Sequence, residues 1–215
     1  MLHYLPGCDV RKNHPEAIKK LTIYMKNQGA QEEVCCRSKE KLLNKDDVMV
    51  NNCTLCDIIL REMYPDNKII STYEYVLNDP NFPWIDHHGQ EITIQDCLRT
   101  KDNKAMLDAI RECLKKMNFK IIELDENYEK TNFDGVWIYN KPMQICLDLA
   151  PKAINKIMDN YYEELDEYQQ TKRMEQHIQQ YPSDLVLTYC NGCERGLKRG
   201  GISPVHLVEL ISEGL

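Results

Sequence analysis

The sequence predicts an α/β protein made of two duplicated units, each with short parallel strands flanked by helices and with sites at the strands' carboxyl ends. Three observations predict this. Short apolar runs alternate with stretches of helical period. The order strand, cysteine, helix, loop site, strand, C-x-x-C, helix, small final element occurs twice along the chain. Cys8, Cys53, Cys97 and Cys190 each stand just beyond an apolar run, where α/β folds collect their ligands.

The first unit is expected over residues 1–80. Leu2–Leu5 is an apolar strand ending at Pro6-Gly7-Cys8. A helix opens at His14-Pro15-Glu16 and runs to about Gln28, where Gly29 stops it; Ile18, Leu21 and Met25 share one face. Cys35-Cys36 lies in a polar connection. Val48–Val50 is a strand running into Asn51-Asn52-Cys53, and a helix from Thr54 to about Met63 turns Ile58, Ile59 and Met63 inward. Lys68–Ser71 is a third strand and Thr72–Leu77 a short helix. Residues 78–89, with two prolines and a glycine, read as a linker.

The second unit is expected over residues 90–215. Ile92–Ile94 is a strand entering Gln95-Asp96-Cys97, and a helix spans about Asn103 to Met117. Lys120–Leu124 is a strand, followed by a turn toward Phe133-Asp134-Gly135. Pro151 to Gln180 is a long charged helical stretch with room for one break. Leu185–Thr188 is a strand entering Tyr189-Cys190-Asn191-Gly192-Cys193, with a helix to Lys198; Pro204–Gly214 closes the chain as a helix. Strands alternating with helices imply parallel pairing and right-handed crossovers.

Composition narrows the function classes. At 215 residues, 42% hydrophobic and 28% charged, the chain has ordinary globular balance and can bury a core. No apolar run approaches a membrane span, and the N-terminal residues lack the basic and apolar segments of a secretory signal, so a cytoplasmic protein is expected. A net charge of −7 argues against nucleic-acid binding, whose footprint is basic. In a reducing compartment the ten cysteines read as metal ligands or redox groups before structural disulfides.

Five of them, Cys8, Cys35, Cys36, Cys53 and Cys56, fall in the first 56 residues; Cys97, Cys190 and Cys193 repeat the pattern more sparsely. A thiolate opening a helix is stabilised by the dipole and free N–H groups there, and C-x-x-C lets two sulfurs reach one centre. Several thiolates brought together repel one another, by about 4 kcal/mol per pair at 4 Å and an effective dielectric near 20, unless a cation neutralises them. A metal does so and keeps the ligands deprotonated. Structural zinc takes four ligands and a regular cubane offers four iron corners. A fifth cysteine is a bystander, a bridging ligand or the sign of a cluster that is not a regular cube, and the count leans toward iron–sulfur.

These residues resemble the cysteine-rich (CCG) domain family of heterodisulfide reductase and related iron–sulfur proteins. That pattern is Cys, a long gap, Cys-Cys, a second gap and C-x-x-C, usually present twice. Cys8, Cys35-Cys36 and Cys53/Cys56 look like one complete copy, with gaps of 26 and 16 residues. Cys97, Phe133-Asp134-Gly135 and Cys190/Cys193 look like a second, degenerate copy in which Phe133 and Asp134 stand at the two cysteine places. The resemblance implies two CCG-type units. It implies a [4Fe–4S] cluster, noncubane in some members, on Cys8, Cys35, Cys36, Cys53 and Cys56. Cys97, Cys190 and Cys193 with the Asp134 carboxylate would form a different site, holding zinc or a second cluster. It further implies electron transfer or thiol–disulfide reduction with an electron-donating iron–sulfur or flavin protein. The chain has no G-x-G-x-x-G fingerprint after a strand, so electrons are expected from a partner.

Two other functional readings stand beside this one: a zinc-stabilised scaffold without catalysis, and a metal-free dithiol oxidoreductase using Cys53/Cys56 or Cys190/Cys193. Among the remaining residues, Cys113, at helical spacing with Ile110 and Met117, reads as core, and Cys146, between Ile145 and Leu147, as packing. His87-His88 beside Asp86 reads as an exposed linker pair, His206 as structural, Asp9-Arg11-Lys12 as a solvated charged turn, and residues 152–180 as a solvent-facing helix or, equally, a docking surface.

Overall fold

The computed structural model describes residues 1–38 and 42–215. Its strands form two four-stranded sheets, both wholly parallel. The first contains β1 (Leu2–Leu5), β2 (Gln31–Glu32), β3 (Val48–Asn51) and β4 (Lys68–Ser71) in the order β2-β1-β3-β4. The second contains β5 (Glu91–Ile94), β6 (Lys120–Ile122), β7 (Val186–Thr188) and β8 (Val205–His206) in the order β6-β5-β7-β8. Position by position the two orders are the same, so the repeat read from the sequence is a repeat of topology.

The helices of the first sheet are α1 (Cys8–Asn13), α2 (Pro15–Asn27), α3 (Thr54–Met63) and α4 (Thr72–Val76). With the second sheet come α5 (Lys104–Lys116), α6 (Gln144–Leu149), α7 (Pro151–Tyr161), α8 (Glu167–His177), α9 (Asn191–Gly200) and α10 (Leu207–Ser212). Local chemistry sets their ends. Pro15 and Pro151 occupy first turns, where their missing N–H costs nothing. Asn103 caps α5 through Met106 N–H. Ser71 and His206 each cap a last helix in a reciprocal box with Glu74 and Glu209. The similarity of those two segments in sequence is therefore a shared strand-to-helix corner.

The units meet through reciprocal contacts: α2 packs on α10 and α4 on α5, while α1 touches α9 and α3 touches the 3-10 turn after Cys97. Since α2 corresponds to α5 and α4 to α10, the contacts exchange under a pseudo-twofold axis, the self-complementary arrangement of a two-fold dimer within one chain. One continuous core, including Tyr4, Leu21, Val50, Ile92, Ile110 and Leu187, crosses the boundary. A second cluster lies under α3, α6 and α7 and includes Leu5, Met49, Ile59 and Ile154. His14 joins the units through Glu194 on α9 at 3.0 Å and Glu209 on α10 at 3.1 Å.

Several elements differ from expectation. The charged turn at Asp9-Arg11-Lys12 is the helix α1, which begins at Cys8 itself. The final helix is preceded by β8, whose two residues Val205 and His206 are too short a run to carry a period. Nothing in the sequence signals α6, which spans six residues with only Cys146 buried. The stretch from Pro151, by contrast, matches expectation and breaks once, at 162–166, where Asp166 caps a new helix. No helix among the described residues is long and apolar enough to cross a membrane.

Candidate metal centre

Parallel pairing aligns the cysteines. Leu5 sits opposite Asn51 and Ile94 opposite Leu187, so Cys8 and Cys53 leave the same end of one sheet, and Cys97 and Cys190 the same end of the other. Cys53 is the N-cap of α3 and Cys190 the N-cap of α9, both with extended backbone. The pseudo-twofold places these helix starts on one cavity of about 430 Å³, lined by Cys8, Cys36, Cys53, Cys56 and Cys190.

In the first set, the Cys56 thiol lies between Cys36 and Cys53 and interacts with both. Cys8 is exposed and lies against Arg37, whose Nη2 donates to its Sγ at 3.3 Å; the Arg37 backbone N–H donates to Cys35 Sγ at 3.4 Å. Gly7 makes the crossing possible: at φ +80 its Cβ position would lie 2.8 Å from Cys53 Cβ. Hydrogen bonding from Cys56 lowers the Cys53 pKa, while the Cys56 thiol is pushed well up by its bonds to Cys36 and Cys53 and by burial. Burial raises Cys8 as well, with Arg37 working against it.

The second set is tighter. Ligand atoms of Cys97, Asp134, Cys190 and Cys193 all lie within 4.8 Å of one another and all four residues are buried; among the described residues they form a group able to hold a metal ion. Tyr189 hydroxyl accepts from Cys97 N–H at 2.9 Å and donates to Asp96 at 2.9 Å, anchoring the ligand loop to the Asp96–Arg111–Glu123 network. The Phe133-Asp134-Gly135 loop is seated on α9 by glycines. Gly135 has φ +57 and a Cβ there would overlap the Gly192 carbonyl, while a Cβ on Gly196 would come within 2.6 Å of Gly135 Cα. The glycine retained in the degenerate motif therefore lets Asp134 approach the Cys190/Cys193 turn.

Arg99 balances this set. Its Nε lies 2.8 and 2.9 Å from the two Asp134 oxygens, and its Nη2 lies 2.5 Å from one of them and 3.3 Å from Cys190 Sγ. Burial lifts the Asp134 carboxyl to about 7 against the pull of Arg99. Cys190 is held well below a free thiol: burial opposes this, but bonds from Cys193 and Cys97 and the Arg99 charge outweigh it. Burial and Cys190 push Cys97 well up against the opposing bond from Cys193, and burial with Cys190 and Cys97 pushes Cys193 well up. Three sulfurs and a carboxylate suit a thiophilic cation, which would keep all four deprotonated.

The structure thus gathers Cys8, Cys36, Cys53 and Cys56 around one cavity, leaves Cys35 outside its lining beside Arg37, and brings the second four donors closest together. The sequence places more weight on the complete first motif; the compact donor group lies at the degenerate one. Cys113 is core, its thiol 3.6 Å from Tyr73 carbonyl oxygen. Cys146 is buried as packing, but in the same cluster as Cys36 and Cys56. His206 caps α10. The His87-His88 pair divides: His88 is exposed, whereas His87 stacks on Phe119 at 4.2 Å and lies 3.3 Å from Glu213. Sequence reasoning missed Arg37, Arg99, Trp137, Asn52 and Asn191. Only Arg37 and the two asparagines carried a signal, each adjoining a motif cysteine.

Comparisons with protein-family models, curated proteins and solved structures found no match.

Proposed function

We propose that this protein is an iron–sulfur protein similar to the CCG-domain component of heterodisulfide reductase, acting in electron transfer or thiol–disulfide reduction with a cytoplasmic partner. The observation that carries the reading is the meeting of two C-x-x-C helix starts, Cys53/Cys56 and Cys190, on one cavity edged by Cys8 and Cys36. In this reading Cys8, Cys35, Cys36, Cys53 and Cys56 hold a [4Fe–4S] cluster, which when bound supplies one-electron chemistry and iron for sulfur to bind. Arg37, donating to Cys8 Sγ, offsets the negative charge of the thiolates. Reduction of a disulfide consumes two electrons and two protons and releases two thiols; the electrons come from an iron–sulfur or flavin partner protein. Protein purified without oxygen is expected to be brown, with iron and acid-labile sulfide in comparable amounts and an EPR signal on reduction. Colourless protein without sulfide overturns the reading.

The alternative, zinc-binding scaffold or interaction protein, draws support from the second set. Cys97, Asp134, Cys190 and Cys193 match the four-ligand count of a structural zinc ion. Zinc in one equivalent, absence of sulfide and unfolding on chelation are its expected results.

A further inference from the structure

The cavity between the units carries polar groups that the thiols do not use. Asn52 is fully buried; its Nδ2 donates to Tyr4 hydroxyl at 2.7 Å, but its Oδ1 has no partner among the described residues. Asn191, 6% exposed, has neither side-chain atom partnered among them. Both line the cavity, one from each unit, beside Cys53 and Cys190. Burying a polar atom without a partner costs about 1–3 kcal/mol, so three such atoms on two residues lining one cavity point to a ligand that supplies both a donor and an acceptor.

The outer part of the same cavity is cationic. Lys12 is exposed and has no partner among the described residues. Among those residues the Arg37 guanidinium bonds only sulfur, including Cys8 Sγ at 3.3 Å and Met143 Sδ at 3.4 Å, whereas every other arginine bonds a carboxylate or an amide oxygen. Arg195 and Asp9 at this rim neutralise each other at 2.7 Å. With Asp9 taken up by Arg195, Lys12 and Arg37 meet no carboxylate from the described residues, so in a chain of net charge −7 they form a local positive patch at this opening. Trp137 and Met143 supply an apolar wall.

We infer that this cavity binds a small organic anion: a carboxylate or phosphate held by Lys12 and Arg37, an apolar body beside Trp137, and an inner polar end hydrogen-bonded by Asn52 and Asn191. A volume near 430 Å³ lies within the usual range of small-molecule pockets. The inference rests on the preceding reading in taking this cavity as the working site, and on no particular metal.

Calorimetric titration of the full chain with 4-hydroxyphenylacetate tests it, since that probe carries a carboxylate, a ring and a hydroxyl at the far end. Submillimolar binding is expected. Binding should weaken about tenfold, or 1.4 kcal/mol, for the neutral 4-hydroxyphenylacetamide, for phenylacetate, and for Lys12→Glu, an exposed substitution that leaves the core untouched. Asn191→Asp, isosteric and well placed at a helix start, should also weaken it. 4-Hydroxyphenyl phosphate in place of the carboxylate distinguishes the two anion classes, and inorganic phosphate should bind at least tenfold more weakly. Absence of binding by both organic anions, equal binding of the neutral amide, or no effect of Lys12→Glu overturns the inference. Metal and sulfide measured on the same samples separate the two readings: anion binding without iron removes only the iron–sulfur reading, and iron without anion binding removes only this one.

Discussion

Arg99→Gln probes the electrostatics of the second donor set. Arg99 and Asp134 are 5% and 0% exposed in their side chains, and the guanidinium makes every ion-pair contact the carboxylate has among the described residues. Removing one partner of a buried pair costs about 3–5 kcal/mol, because the other charge remains buried alone. For a chain of this length, 1 kcal/mol corresponds to roughly 2–4 °C. Metal-free Arg99→Gln should therefore melt about 6–20 °C below the metal-free parent. A divalent cation on Cys97, Asp134, Cys190 and Cys193 returns positive charge to the carboxylate, so in zinc-loaded protein the deficit should shrink to less than half. Paired thermal melts by circular dichroism, with chelator and with zinc, read both quantities. An unchanged midpoint in metal-free protein, or an equal deficit in the two conditions, refutes the reasoning.

Three further outcomes are expected. Gly135→Ala, which forces a side chain into the Gly192 carbonyl at φ +57, should lose about 2–4 kcal/mol in urea unfolding and weaken metal binding by Cys190 and Cys193. Cys146→Ser should lower stability by about 1–3 kcal/mol while leaving metal stoichiometry unchanged, which separates packing from ligation. Burial holds His177 down to about 4 and His206 down to about 3. The unfolded chain, with histidines near 6.5, binds more protons between these limits. The stability is therefore full above about pH 6.5 and is lost as pH falls toward 4, at up to about 1.4 kcal/mol per pH unit for each histidine. His14 is raised instead: burial opposes protonation, but Glu194 and Glu209 outweigh it, so its contribution is present below about 6.5 and fades as pH rises. Urea midpoints at pH 7.5 and 5.0 should show a net loss of about 2–4 kcal/mol on acidification, reduced in His206→Gln.

Much of the architecture was legible because it is local. Short apolar runs located β1, β3, β4, β5, β6 and β7, and Pro15 and Asn103 stood at expected helix starts. The paired cysteines at Cys53/Cys56 and Cys190/Cys193 announced their place after strands. What escaped depends on distant contacts. β2 is a two-residue edge strand defined only by its pairing with His3 and Tyr4. α6 exists where Cys146 closes the cluster beneath Cys36 and Cys56. Arg99 lies 35 residues before Asp134, and nothing in its neighbours foretold that it would be the buried countercharge. The pseudo-twofold itself, which brings Cys53 to face Cys190, follows from α2–α10 and α4–α5 packing that no single segment encodes.

X-ray absorption at the metal edge of oxygen-free protein tests the central claim most directly. The account predicts a first shell dominated by sulfur at about 2.3 Å, lost in part when Cys53 and Cys56 are replaced by serine and in part when Cys190 and Cys193 are. A first shell of nitrogen and oxygen alone, or a spectrum indifferent to both replacements, contradicts it.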